Sequence, residues 1–309
     1  MNPAYSIIFF TTAAGAGYGL LTMLALYALA GDPAANGREA LLPLGLAGVL
    51  VSAGLLASTL HLGHPERAWR ALSQWRSSWL SREGVLAIAC YGPALVWAWR
   101  LWREAPIGPV VPAFTAVLGL ATVYATSQIY ASLKSVDAWH LRLVPANYLL
   151  LALASGSVLW QALRVWAGVA TAVDALPVAT LMLAAGVGKW RYWRTLSRLA
   201  PTSTLATATG LGTLGTVSSL AWPHTEQNYL LKEMGFVVAR RHADKLRRIA
   251  LLCACILPPL LALGGSVSGG WPASLIMGLA VALLALGLVL ERWLFFAEAR
   301  HSVSVFYGR

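Results

Sequence analysis

One stretch gathers most of the residues able to do chemistry: TLHLGHPERAWRALSQWRSSWLSREGVLAI, residues 59–88. His61 closes one apolar run and Glu83 opens the next. An imidazole and a carboxylate at the edge of a lipid phase can take up and release protons as a redox partner changes state. Consecutive helices joined by a short loop are usually neighbours, so the two side chains are expected to face one pocket. Between them lie His64, Arg67, Arg70, Arg76 and Arg82, interleaved with Trp69, Trp75 and Trp79, a set that could frame a flat aromatic ring. The same residues have a plainer reading. Trp and Arg concentrate at membrane interfaces as anchors, and Ser81-Arg82-Glu83 could simply cap a helix. His61, Glu83, His64, Arg67, Arg70, Trp79 and Arg82 are the candidate binding set, and none of them is assigned a catalytic or metal-ligating role.

The elements that must position this set are membrane helices. The chain has 309 residues, 58% of them hydrophobic and 11% charged, where a soluble protein carries about 25% charged residues. Apolar runs of about 20 residues recur, each long enough for a hydrocarbon core roughly 30 Å thick. Backbone groups in lipid must bond within their own segment, so the runs are expected to be helices. The ten-residue alternation of an outer-membrane barrel is missing. The expected fold is all-α, a single membrane domain of about eight spans near 6–29, 41–62, 83–102, 109–133, 147–166, 169–190, 246–267 and 272–295. Only Ala167 and Gly168 separate the fifth from the sixth, and Asp174 and Pro177 fall inside the latter, which points to a broken or shifted helix there. The start, MNPAYSIIFF, has no basic n-region, so the first segment is expected to stay as a span rather than be cleaved.

Orientation follows from counting Lys and Arg. Nineteen fall on the side of residues 63–82, of the 197–245 loop and of both termini, against four (Arg38, Arg100, Arg103 and Arg164) on the other side. By the positive-inside rule the termini and the 197–245 loop are expected in the cytoplasm, in a bacterial inner membrane. The net charge of +11 then has a source that needs no nucleic acid. The second half of the loop, TEQNYLLKEMGFVVARRHADKLRR, reads as a basic amphipathic helix that lies on anionic lipid or docks a partner.

Other chemistries find little support. A haem-b subunit needs histidines facing each other inside the bundle, and His61, His64, His140, His224, His242 and His301 all fall at span ends or in loops. Cys90, Cys253 and Cys255 lie in apolar segments and read as small buried residues. Walker, Rossmann and H-E-x-x-H motifs are missing. No inverted repeat suggests a transporter, and charge inside the spans is sparse apart from Asp174. Tyr124 and Gln128 share a helix face, as expected of an interhelical contact. Asp137, Trp139, His140 and Arg142 occupy a second loop on the His61–Glu83 side, and Asn147 reads as the cap of the next helix. Glu291 and Arg292 could pair with each other or join the same pocket, as could Glu298 and His301.

HLGHPERAWRAL followed by SSWLSREG resembles the His-Leu-Gly-x-Pro-x-Arg-Ala and Leu-Ser-x-Glu pattern of the DMSO reductase membrane-anchor family, and the ending ERWLFFAEARHSVSVFYG is similar to that of many relatives. The resemblance extends over the full chain. It implies an eight-span anchor without haem that holds a molybdopterin catalytic subunit and an iron–sulfur electron-transfer subunit at the membrane. It further implies electron exchange with quinone, either ubiquinone or menaquinone. In that family the His of the first motif and the Glu of the second are tied to quinol binding and oxidation; here they are His61 and Glu83, with His64 second. NPAYSIIFFTTAAGAGYGLL and YASLKSVDAWHLRLVPANYLL look closer to the anchors of sulfite-oxidising quinone reductases than to those of DMSO respiration. An anchor that oxidises menaquinol for a DMSO-type reductase and a purely structural anchor remain the alternatives.

Overall fold

The computed structural model describes residues 4–60, 64–201, 203–221 and 242–307. Eight helices are long and apolar enough to cross a membrane: α1 Tyr5–Leu29, α2 Arg38–Thr59, α3 Trp79–Trp102, α4 Val110–Ala131, α5 Leu143–Trp166, α6 Ala172–Leu196, α7 Ala243–Val267 and α8 Gly270–Ala297. The expected class is therefore the observed one, and no strand occurs among the described residues. At 1.5 Å per residue the 25 residues of α1 reach roughly 37 Å, more than the hydrocarbon core requires.

α1 is the hub, packing against α2, α4, α5 and α8. Small residues allow this. A Cβ on Gly19 would lie 1.8 Å from the backbone oxygen of Ala152, and one on Gly156 would lie 2.1 Å from the carbonyl carbon of Gly19. Only glycine lets these two backbones meet, the usual way helices associate where lipid removes the hydrophobic incentive. α3 packs mainly on α4 and touches α2 only lightly. A second core, with Val158, Met182, Ala185 and Met277 at its centre, joins α5, α6, α7 and α8. Large apolar side chains such as Leu42, Ile88, Val110, Leu183 and Leu275 point outward, where lipid would meet them.

Several helix starts differ from the hydropathy reading. α3 begins at Trp79, not Glu83: the Ser78 hydroxyl accepts from the Ser81 amide and caps the helix, so Glu83 falls one turn inside. The sixth helix is shifted rather than broken. Its regular α-helical part begins at Ala175, after a capping box in which Thr171 and Asp174 satisfy each other's backbone amides, so Asp174 sits at the start and not inside. Asn147 caps nothing. α5 already begins at Leu143, and the Asn147 side chain is buried against Gly188 of α6. In α7 a π-turn over Leu252–Ile256 precedes Pro258 and Pro259, which lack the N–H groups that Ala254 and Cys255 carbonyls would otherwise accept from. Of the 197–245 loop, the described part holds a short helix, Leu205–Thr209, and a 3₁₀ turn, Leu211–Thr213. Most of the expected amphipathic helix, like His224, lies outside the described residues.

Candidate functional site

The start of α3 turns Glu83 inward. Its side chain is 4% exposed and accepts a hydrogen bond from the Thr126 hydroxyl of α4. That hydroxyl has one hydrogen and a second acceptor in reach, the Thr122 carbonyl at 3.0 Å. When the hydrogen points to Glu83, an ionised carboxylate is served. When it points to Thr122, the Thr126 oxygen can accept from a protonated carboxyl instead. The arrangement thus holds Glu83 in either protonation state without moving a helix.

Glu83 opens on a narrow cavity inside the bundle, walled by Tyr18 of α1, Thr122 of α4, Tyr148 and Ser155 of α5, and Arg292 of α8. In this conformation it offers about 20 Å³, room for one water. A larger ring enters only if the walls move apart. Arg292 is 4% exposed, its guanidinium lies 3.9 Å from the Tyr148 ring centroid, and its Nη1 makes no hydrogen bond to any described residue. Its Nε binds Glu291 at 2.8 Å, and Glu291 also pairs with Lys189 of α6, whose ammonium sits 4.2 Å from the Tyr192 ring. Two cations thus share one carboxylate, and the Arg292 side chain, resting on the Tyr148 ring, lines the cavity that holds Glu83.

An aromatic floor closes this end of the bundle. Tyr130, Trp139, Tyr148, Phe295 and Phe296 stack on one another. The Trp139 indole donates to the Phe295 carbonyl at 3.0 Å and the Tyr192 hydroxyl to the Ala138 carbonyl at 3.1 Å, which ties the 132–142 loop to α6 and α8. Trp139 is therefore a packing residue. His140 is exposed and bonds the Ala131 carbonyl at 2.7 Å.

Of the candidate binding set, only Glu83 is placed in the cavity, and Arg292, which the sequence offered to the same pocket, lines it as well. His61 lies outside the described residues. His64 is exposed, with Nδ1 3.1 Å from Glu66, and Arg67 reaches the same carboxylate at 3.7 Å. Arg70 stacks on Trp69 and is also exposed. Trp79 packs edge-on against Tyr124, their centroids 5.9 Å apart. Arg82 turns back along the loop, donating to the carbonyls of Trp75 at 3.0 Å and Arg76 at 2.7 Å, with its guanidinium 4.3 Å over Trp79. The Pro65–Gln74 segment folds against α3, where Leu72 covers Gly84. The basic–aromatic set therefore forms a rim at the end of the bundle, while the cavity is built from residues scattered over α1, α4, α5 and α8. Sequence reading placed Lys189 at a span edge and passed over Tyr18, Thr126 and Tyr148. The available signal was a row of hydroxyls in α4, with Thr115, Thr122 and Thr126 on or near one face.

Among the described residues no cluster of three or more His, Cys, Asp or Glu is placed to hold a metal ion. A carboxyl, a guanidinium and a row of hydroxyls suit instead a ligand with polar oxygens at opposite ends of an apolar body. The model of the DMSO reductase anchor subunit family (DmsC) matches residues 1–297. This chain belongs to that family. The anchor is 34% identical to a sulfite dehydrogenase subunit of Allochromatium vinosum, over 99% of both proteins. It is 31% identical to a chain of the anaerobic dimethyl sulfoxide reductase of Escherichia coli, over 49% of the anchor and 54% of that relative. The corresponding reductase chain from Haemophilus influenzae is 29% identical over 38% of the anchor and 42% of its own length. The anchor is a multi-pass membrane protein of molybdoenzyme-type complexes, a family whose members work with catalytic and iron–sulfur subunits.

Proposed function

We propose that this protein is the quinone-reactive anchor of a molybdopterin/iron–sulfur complex. It passes electrons between the iron–sulfur subunit and the quinone pool, and Glu83 exchanges the protons. The observation that carries this reading is a buried carboxyl, held by Thr126 in either protonation state, in an internal cavity that the Arg292 side chain also lines. Reduction of a quinone to a quinol consumes two electrons and two protons. Glu83 supplies or accepts one proton at one ring oxygen, and Arg292 polarises the other. His61, the family's second quinone-linked position, is assigned the remaining proton. The rim of His64, Arg67, Arg70, Trp79 and Arg82 orients the loop and meets lipid headgroups and the iron–sulfur subunit.

The full-length likeness to a sulfite dehydrogenase subunit supports sulfite as the electron source. In the partner, sulfite and water yield sulfate, two protons and two electrons, and the electrons leave through this site. The basic excess supports a cytoplasmic position for the rim and both termini, in the inner membrane.

Affinity purification of the complex in gentle detergent tests the reading. Molybdenum and iron are expected in stoichiometric amounts with two further subunits, together with sulfite-dependent quinone reduction that is lost in Glu83→Gln. A complex that reduces dimethyl sulfoxide with quinol, and not quinone with sulfite, would assign it to the DMSO side of the family. Unchanged quinone turnover in Glu83→Gln would remove the site.

A further inference from the structure

A second space opens sideways between α2 and α3, where these helices barely touch. It measures about 640 Å³. Gly45, Gly48 and Leu56 line the α2 side, Ala87, Ala94 and Ala98 the α3 side, and Tyr18 and Leu21 of α1 form the floor. A Cβ placed on Gly45 or Gly48 would meet no atom within 4 Å, so the width is set by missing side chains. Two of its three hydroxyls serve each other: Ser52 and Tyr91 are 2.7 Å apart, and Ser52 also donates to Gly48. The rest of the wall is apolar apart from Tyr18, which it shares with the Glu83 cavity.

The crevice borders the Glu83 cavity. Tyr18 lines both spaces, and Ala87, buried in the crevice wall, stands one turn along α3 from Glu83. Building on the quinone reading of that cavity, we propose that the α2–α3 crevice is the binding lane for the isoprenoid tail of the quinone, the route by which the ring reaches Glu83 from the lipid. The lining and its length suit this occupant: from Ala87 to Ala98 the crevice runs roughly 17 Å along α3. A single hydrocarbon tail fits, and the apolar lining suits it along its whole length.

Gly48→Leu and Ala94→Leu, each made in the intact complex, block the lane; Leu42→Phe, on the outer face of α2, is the control. With a quinone carrying a long isoprenoid tail, KM is expected to rise about tenfold in both lane variants, and quinone retained through purification to fall by a similar factor. With the tail-free ring, KM is expected to stay within twofold. In the unsubstituted complex, a quinone with a diazirine at the tail end is expected to label peptides 41–56 and 87–98. Equal KM changes for tailed and tail-free quinones, or labels elsewhere, would overturn the lane. So would labelling of these peptides by a diazirine phospholipid that tailed quinone fails to compete away. Failure of the underlying reading looks different: Glu83→Gln would then leave turnover of both quinones intact.

Discussion

Two buried ionic clusters lie at opposite ends of the bundle and differ in how completely they are satisfied. At the end holding the α1–α2 and α5–α6 turns, Arg164 meets Asp32 at 2.7 Å and Asp174 at 3.3 Å, and donates to the Val169 carbonyl at 3.3 Å. Asp174 also accepts from the Tyr27 hydroxyl at 3.0 Å and the Thr171 amide at 2.7 Å. The guanidinium rests between the rings of Tyr27 and Trp160. One cation, two carboxylates and a backbone turn close on one another, with Arg164 Nε held to Asp174 by charge and not by a hydrogen bond. At the other end Lys189 and Arg292 share Glu291, Arg292 Nη1 has no hydrogen-bond partner among the described residues, and the Arg292 side chain lines the cavity that holds Glu83. The first cluster is a clasp between loops. The second borders the space that holds Glu83, the position a ligand-binding charge must take.

The comparison can be broken experimentally. Glu83→Gln keeps the size of the side chain and removes its proton exchange, so quinone-linked turnover is expected to drop about 10²–10⁴-fold, with subunit assembly intact on native gels. Arg164→Met leaves two buried carboxylates without their cation and is expected to cost about 3–5 kcal/mol, read as lowered thermal stability in detergent. Turnover per folded complex should stay at the parent level, because nothing at that end touches the cavity. Arg292→Lys keeps the charge and loses the planar fork, so KM for quinone should rise about tenfold, equivalent to about 1.4 kcal/mol. A stability loss as large as that of Arg164→Met, with unchanged KM, would make the two clusters alike. Arg82→Ala removes a stacked cation from the rim and is expected to cost about 0.5–1 kcal/mol, with KM within threefold.

The eight helices were legible because lipid imposes length and apolarity on every span, and hydropathy reads both. Their starts were less so. The run from Val169 to Val173 is apolar enough to pass for membrane, yet the Thr171–Asp174 box delays the regular helix to Ala175. Glu83 could be found as a carboxylate at the head of an apolar run. Its neighbours in the rim stood out for their chemistry, but they sit in one loop and the loop faces outward. Tyr18, Thr126, Tyr148 and Arg292 come from four different helices, and only the crossing of those helices brings them together. Lys189 is next to last in the expected 169–190 span, but the helix runs on to Leu196 and leaves it about two turns inside that end, where it meets Glu291. Local pattern along the sequence identifies residues able to act, while their convergence is a tertiary fact.

The Gly19–Gly156 crossing also has a consequence in time. α1 leaves the ribosome well before the partner that approaches it most closely, which is made more than a hundred residues later. At 5–20 residues per second that interval is on the order of ten seconds. Throughout it, the bare glycine face of α1 must stay uncommitted in the bilayer or under the care of the insertion machinery. A nascent polypeptide stalled before α5 would carry the Glu83 carboxyl and the hub helix with no Tyr148 or Arg292 to enclose them, a target that membrane quality control could recognise by its unfilled groove.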